Sequence, residues 1–172
     1  MKFAPSALSA LAFSISLAAP LYGYDKETSV GAHTSARVEV QELVERFGHA
    51  ILTKDGEAVR RMFLPGGSWF RVLDQASLAS VRAKNPEAKQ INPGSYEEFA
   101  KFLGTTSSAL EETFDNVRIE TDGTVGMVWF DYRFIKDGKQ TNHGRETWQV
   151  VRESDGWKIS AMLFSVTLDE SH

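Results

Sequence analysis

The stretch VWFDYRFIKDGKQTNHGRETWQVVRESDGWKISAMLFS, residues 128–165, decides the fold. Polar and apolar residues alternate along it with a period of two, interrupted by Asp137-Gly138 and Asp155-Gly156. Asp-Gly between alternating runs is a strong short-range signal for a β-hairpin. With the preceding pair Asp122-Gly123, the pattern predicts four antiparallel strands at about residues 111–120, 125–135, 141–152 and 157–167.

The residues before these strands follow helical spacing. An amphipathic helix is expected from about Ser35 to Ile51, followed by a short helix with Asp55 as N-cap and a first strand at residues 68–73. A third helix opens at the capping box Ser95-Tyr96-Glu97-Glu98. For the polar segment 74–94 between them, the sequence leaves a hairpin, a lid and disorder open. Three helices before a meander of strands predict an α+β domain, with the helices on one face of a strongly bent antiparallel sheet.

The N-terminus reads as a leader. Lys2 precedes an apolar stretch at residues 7–19 that is too short for a permanent membrane span, and small residues follow it. This pattern predicts a signal peptide over 1–23, cleaved after Ala18 or Gly23, then a flexible tail at 24–34 and a domain at 35–168. The mature protein is therefore expected to be periplasmic or secreted, and because it has no cysteine it cannot rely on disulfides.

Composition excludes several classes of partner. The net charge is −4 and charges of both signs are interspersed, whereas nucleic-acid binding needs clustered Lys or Arg. No second long apolar run follows the leader, so no membrane contact is expected after its removal. No two of the four histidines are spaced as metal ligands, so we expect neither a metal nor another cofactor.

The C-terminal stretch resembles SnoaL-like domains of the nuclear transport factor 2-like superfamily, including the lumazine-binding-type subgroup. The resemblance rests on Trp129 in an aromatic-rich strand, the turn at Asp137-Gly138, His143-Gly144 followed by Glu146, and Gly156-Trp157-Lys158-Ile159. It covers roughly residues 36–167 and implies a cone-shaped, cystatin-like α+β fold. It implies little about chemistry, because this fold carries isomerases, dehydratases, hydrolases, carriers and dimerisation modules.

The Asp137-Gly138 turn also predicts which residues share a face of the sheet. In a tight hairpin Ile135 lies opposite Gln140, and each further step keeps the sum of the paired numbers constant. This register places Trp129 opposite Glu146 and Tyr132 opposite His143. The face expected to lie under the helices then carries Met127, Trp129, Asp131, Arg133, Asn142, Glu146 and Trp148.

We therefore expect a conical pocket for a small organic ligand on that face. The predicted ligand-binding residues are Trp69, Trp129, Trp148 and Arg133, and the candidate acid–base residues are Asp131 and Glu146. A carboxyl group near apolar walls has a raised pKa, which suits proton transfer. The alternative is that Glu146 pairs with an arginine or accepts a Trp N–H, and that Asp131 is solvated at the rim.

Three functions remain open at this stage. The leading interpretation is non-catalytic binding of a small, partly apolar molecule, because no nucleophile, base and orienting group are assembled in the sequence. The second is an isomerase, dehydratase or hydrolase that uses Asp131 and Glu146. The third is a structural dimerisation module whose cone is filled by its own side chains.

The opposite face of the sheet is expected to form a homodimer. The predicted register places Tyr132, Phe134 and His143 there, and the resemblance implies that this outer face commonly pairs two copies. We therefore interpret His143 as an interface or cross-strand residue rather than as a catalytic base.

Overall fold

The computed structural model describes residues 26–169, with side chains from Thr34 onward. The elements in chain order are α1 (Lys26–Leu52), α2 (Gly56–Met62), β1 (Phe63–Leu73), α3 (Gln75–Lys84), β2 (Ile91–Pro93), α4 (Tyr96–Thr105), β3 (Leu110–Thr121), β4 (Val125–Lys136), β5 (Lys139–Glu153) and β6 (Gly156–Leu168). The predicted signal peptide at 1–23 lies outside the described residues. Helix α1 begins at Lys26, within the segment 24–34 that we expected to be a flexible tail.

Three of the helices begin at side-chain caps. Asp55 accepts a hydrogen bond from the Ala58 N–H at the start of α2, and Ser95 accepts one from the Glu98 N–H at the start of α4, as predicted. The segment 74–94 is not a hairpin: Asp74 accepts from the Ser77 N–H and starts α3, and the short strand β2 follows. Each cap satisfies a backbone donor that a helix start leaves without a partner.

The six strands form one open sheet in the order β2-β1-β6-β5-β4-β3. Strands β1 and β6 run parallel, and every other neighbouring pair is antiparallel. The predicted α+β architecture is confirmed, with α3 as a helix that the sequence pattern did not indicate. No helix within residues 26–169 is both long and apolar enough to cross a membrane.

The predicted register of the β4–β5 hairpin is wrong beyond the turn. The turn itself is as expected, with Asp137 and Gly138 at φ values of 52° and 77° and Ile135 opposite Gln140. The next pair, however, is Phe134 with Asn142, because a β-bulge inserts one extra residue on β5. A slip of one residue exchanges the two faces of β4 relative to β5.

Helix α1 covers one face of the sheet and makes most of the core with it. Its residues Val40, Leu43, Phe47 and Ile51 are at most 1 % exposed, as are Phe130 and Trp148 of the sheet. Phe47 meets Trp148 edge to face, with ring centroids 5.2 Å apart. This packing fills the half of the cone near α1 and α2, and leaves the half near α3 and α4 open.

Candidate active site: a cavity with two carboxylates

The open half of the cone is a cavity of about 730 Å³ between the sheet, α3 and α4. Its volume lies within the range of small-molecule sites. Aromatic rings make up much of its wall, and its polar side chains come from different elements. The lining includes Phe47, Trp69, Arg71, Asn85, Lys89, Asn92, Glu98, Phe99, Phe102, Glu112, Tyr132, Phe134, Asn142, Glu146 and Phe164.

Glu146 of β5 lies at the buried end of this cavity and is 3 % exposed. Its Oε1 accepts a hydrogen bond of 2.5 Å from the Trp148 indole N–H, two residues along the same face of the strand. Burial raises the pKa of Glu146 to about 8, although the Trp148 N–H opposes that rise by favouring the charged form.

Glu112 is a second carboxylate in the same cavity. It lies on β3 opposite Phe134, and its side chain is half-buried against the cavity. Burial raises its pKa well above the usual value, and the charge of Glu146 raises it further. No described side chain donates a hydrogen bond to it or forms an ion pair with it. Because the charge of Glu146 disfavours the ionised form of Glu112, the two acids are not readily ionised together.

Tyr132 and Asn142 extend the polar end of the cavity. The Tyr132 hydroxyl lies 2.9 Å from the Ser165 carbonyl oxygen and 3.0 Å from Asn142 Oδ1, and it donates its proton to one of them. Burial raises the pKa of Tyr132, and the charges of Glu146 and Glu112 act in the same direction. The phenol is therefore neutral and can serve as a hydrogen-bonding group beside the two acids.

The aromatic wall is formed by three elements. Trp69 of β1 packs on Phe99 of α4 with centroids 5.3 Å apart, and on Phe164 of β6 at 5.7 Å. Gly94 lets the loop before α4 approach this indole, because a Cβ there would lie 2.7 Å from Trp69 Cδ1. The cavity thus has flat apolar walls that match a planar ring.

The arrangement suits binding or proton transfer. A group of at least three potential metal ligands does not occur within residues 26–169. The two carboxyl groups could exchange a proton with a bound molecule, and the Tyr132 hydroxyl oxygen could accept a hydrogen bond from it.

Two of the predicted site residues lie where we expected, and a third, Trp148, lies on the expected face but does not reach the cavity. Trp69 and Glu146 line the cavity. Trp148 lies on the same face but behind the cavity wall, at 1 % exposure, where its N–H holds Glu146. The arrangement expected as the alternative, in which Glu146 accepts a Trp N–H, is therefore present.

Trp129, Asp131 and Arg133 do not lie in the cavity, because the bulge turns them to the outer face. Trp129 is stacked between Arg118 and Arg145, whose Cζ atoms lie 4.8 and 4.6 Å from its ring centroid. Asp131 accepts hydrogen bonds from Asn116 at 2.8 Å and from Arg145 at 2.9 and 3.0 Å, which lower its pKa. Arg133 forms a 2.7 Å ion pair with Asp115.

The same one-residue shift in register also changes which residues lie on the expected dimer face. Tyr132 and Phe134 line the cavity rather than the outer face. His143 does lie on the outer face, opposite Arg133, where its Nδ1 is 3.1 Å from Asp169 Oδ1. Of the three residues expected at an interface, only His143 remains available there.

Glu112 is the main site residue that the sequence reasoning missed. An acid on the first strand of a meander looks like an ordinary solvent-facing residue. The available signal was its position: Glu112 lies midway between Leu110 and Phe114, and alternation puts all three on one face. An acid on an otherwise apolar face is a marker of a site.

Comparison with known proteins identifies the family but not an activity. The model of the SnoaL-like domain matches residues 32–162. No curated protein matches the sequence. Among solved structures, the chain is similar to a protein of Novosphingobium aromaticivorans described as nuclear transport factor 2-like with a cystatin-like fold, at 15 % identity and a TM-score of 0.60 over 87 % of this chain and 94 % of that one.

Two further structures support the same fold. A protein of N. aromaticivorans described as a candidate scytalone dehydratase is 13 % identical, with a TM-score of 0.61 over 83 % of this chain and 92 % of its own. A nuclear transport factor 2-like protein of Salmonella enterica is 18 % identical, with a TM-score of 0.55 over 80 % and 95 %. These likenesses show the fold alone and leave the lumazine-binding-type subgroup a prediction. Because the family model matches most of its length, the chain belongs to the SnoaL-like domain family, with a nuclear transport factor 2-like, cystatin-like fold.

Proposed function

We propose that this protein binds a small, largely aromatic organic molecule in the cavity and that a polar group of the ligand hydrogen bonds to the Glu112–Glu146 pair. The observation that carries the proposal is an aromatic-walled space of about 730 Å³. It ends beside the half-buried carboxyl group of Glu112, which has no hydrogen-bond donor among the described side chains. A polar group of a ligand can supply the missing partner. A cavity of this volume also argues against a cone filled by its own side chains.

A thermal-shift screen with planar neutral probes such as 2-naphthol tests the proposal. Ala88 lines the cavity, so Ala88→Phe should fill space that a ligand needs and abolish the shift in melting temperature. Trp129→Ala is the matched control, because it removes a ring of the outer face and should leave the shift unchanged. A shift that survives Ala88→Phe, or a screen in which no planar probe raises the melting temperature, would contradict the proposal.

A second candidate function is proton transfer next to a carbonyl group. The raised pKa values of Glu112 and Glu146 favour it, since such a carboxyl group can both take and return a proton near neutral pH. The acid–base pair is then Glu112 and Glu146 in place of Asp131 and Glu146. In this step a carboxylate takes the proton from the carbon, the carbonyl becomes an enolate, and a solvent deuteron returned to carbon marks the exchange.

Deuterium exchange of the α-protons of 2-tetralone, followed by NMR in D₂O, tests this candidate. Glu112→Gln and Glu146→Gln should each reduce exchange to the rate without protein, whereas Asp131→Asn should not change it. Because the base must be ionised, the rate should rise with pH up to about 8, where burial places the pKa of Glu146. Exchange that persists in both glutamine variants would exclude the assignment.

Export and dimerisation remain part of the proposal. The leader pattern supports a mature chain that begins at Ala19 or Tyr24, which N-terminal sequencing of the exported protein would test. For a homodimer, the outer face offers Met127 and Leu163, which are 48 % and 49 % exposed, beside Phe70 at 40 %. Leu163→Asp should then convert a dimer to a monomer in sedimentation, and a wild-type chain that is monomeric at high concentration would contradict the interface.

A further inference from the structure

The mouth of the cavity carries two cations that have no acidic partner in the part of the chain that the structure describes. Arg71 of β1 and Lys89 of the loop before β2 both line the cavity and are exposed. Glu98 lines the same cavity, but it forms no ion pair with either cation. By contrast, Arg133 and Arg145 on the outer face each bind an aspartate.

Arg71 and Glu146 lie in one row across the cavity face of the sheet. The register pairs Arg71 with Phe164 and Phe164 with Glu146, on the adjacent strands β1, β6 and β5. Two strand spacings separate the Cα atoms of Arg71 and Glu146 by about 10 Å. That span is comparable to the length of a two-ring aromatic molecule with a substituent at each end.

The cavity is therefore electrically polarised along its length. Its exposed end carries Arg71 and Lys89 against the single acid Glu98. Its middle is walled by Trp69, Phe99 and Phe164, and its inner end holds Glu112 and Glu146. A carboxylate or phosphate on a ligand would be repelled from the buried end and attracted to the exposed one. A guanidinium that has no other partner can bind a carboxylate through two parallel hydrogen bonds.

We propose that the ligand is an aromatic acid whose anionic group binds Arg71 at the mouth, assisted by Lys89, and whose uncharged polar end faces Glu112 and Glu146. This inference rests on the proposed function, and it adds the chemical class and the orientation of the ligand. Arg71 is then a specificity residue: it selects anionic over neutral aromatic molecules and does not take part in proton transfer.

Calorimetric titration with two probes of the same shape tests this assignment. 6-Hydroxy-2-naphthoate carries a carboxylate opposite its hydroxyl, and 2-naphthol lacks the carboxylate. We expect the wild type to bind the acid at least about tenfold more tightly than 2-naphthol, the size of a charge-assisted hydrogen bond. The Arg71→Gln variant should bind 6-hydroxy-2-naphthoate only as tightly as it binds 2-naphthol. Its affinity for 2-naphthol should equal that of the wild type.

Arg37→Gln is the matched control, because Arg37 is an exposed arginine of α1 that does not line the cavity. It removes the same charge and should change neither affinity. Equal binding of the two probes by the wild type, or equal losses in Arg71→Gln and Arg37→Gln, would overturn the role of Arg71 while leaving the proposed function standing. If neither probe binds, the proposed function fails and this inference fails with it.

Discussion

On the cavity face of the sheet, Glu112 and Glu146 lie near each other without a cation, whereas on the outer face Asp131 is bound by Arg145 and Asn116. The pKa values move in opposite directions, upward for Glu112 and Glu146 because of desolvation and downward for Asp131 because of its hydrogen bonds. Acids on the two faces of one sheet thus have different environments. Asp131, which is bound to Arg145, belongs to the protein surface. Glu112 and Glu146, which have no bound cation, mark the site.

The largest difference between the faces should appear in the two tryptophans. Trp148→Ala removes a fully buried ring and the N–H that holds Glu146, so we expect it to lower the free energy of unfolding by about 3–5 kcal/mol. Trp129→Ala removes a half-buried ring stacked on two arginines, and we expect a loss of about 1 kcal/mol. Urea denaturation measures both values.

Should Trp148→Ala fail to fold, Trp148→Phe keeps most of the ring and still removes the N–H. Trp148→Phe should lower the free energy of unfolding by more than Trp129→Phe, which is the matched change on the outer face. Equal losses on the two faces would contradict the positions assigned to these rings.

The next effect is the pH dependence of stability. The folded protein raises the pKa of Glu146 from 4.5 to about 8, so the folded state binds more protons than the unfolded state between these values. Stability is therefore greatest below the unfolded pKa and decreases as pH rises through the folded one, by roughly 2–4 kcal/mol. Glu146→Gln, which can still accept the Trp148 N–H, should flatten this slope in denaturation curves taken from pH 4.5 to 8.5. A wild-type stability that rises over this range would contradict the raised pKa of Glu146.

The smallest effect should come from Asp131→Asn. The exposed carboxylate has a lowered pKa, so its contribution is present at neutral pH and is lost as pH falls through its folded value. Surface ion pairs contribute little, and we expect almost no change in melting temperature at pH 7. A change as large as that of Glu146→Gln would mean that Asp131 contributes more to the stability of the fold than its exposed position indicates.

Much of the fold could be predicted from the sequence because its signals are local. The caps at Asp55 and Ser95 and the turn at Asp137-Gly138 depend on short-range hydrogen bonds and on backbone angles that few residue types adopt. The face of β4 could not be predicted, because a bulge on β5 shifts its pairing and Thr141 and Asn142 fit a strand with or without the bulge. One extra residue moved Trp129, Asp131 and Arg133 out of the predicted site.

The residues at the mouth of the cavity could not be predicted from the sequence, for a different reason. The segment 74–94 has no apolar periodicity, so α3 is specified mainly by the Asp74 cap and by contacts with β6, such as the hydrogen bond from the Leu168 N–H to Ser77 Oγ. Arg71 likewise gives no signal in the sequence, because its role depends on strands β1, β6 and β5 lying side by side. Residues brought together by long-range pairing are the ones that a reading of local patterns misses.

The most direct test of this account is a ¹³C NMR titration of the glutamate side-chain carboxyl carbons, with Glu112→Gln and Glu146→Gln used to assign the signals. We expect two carboxyl groups to titrate well above the others. We also expect Glu146→Gln to lower the pKa of Glu112, because one source of its rise is the charge of Glu146. If every glutamate instead titrates near the ordinary value of about 4.3, the cavity does not hold two interacting carboxyl groups with raised pKa values.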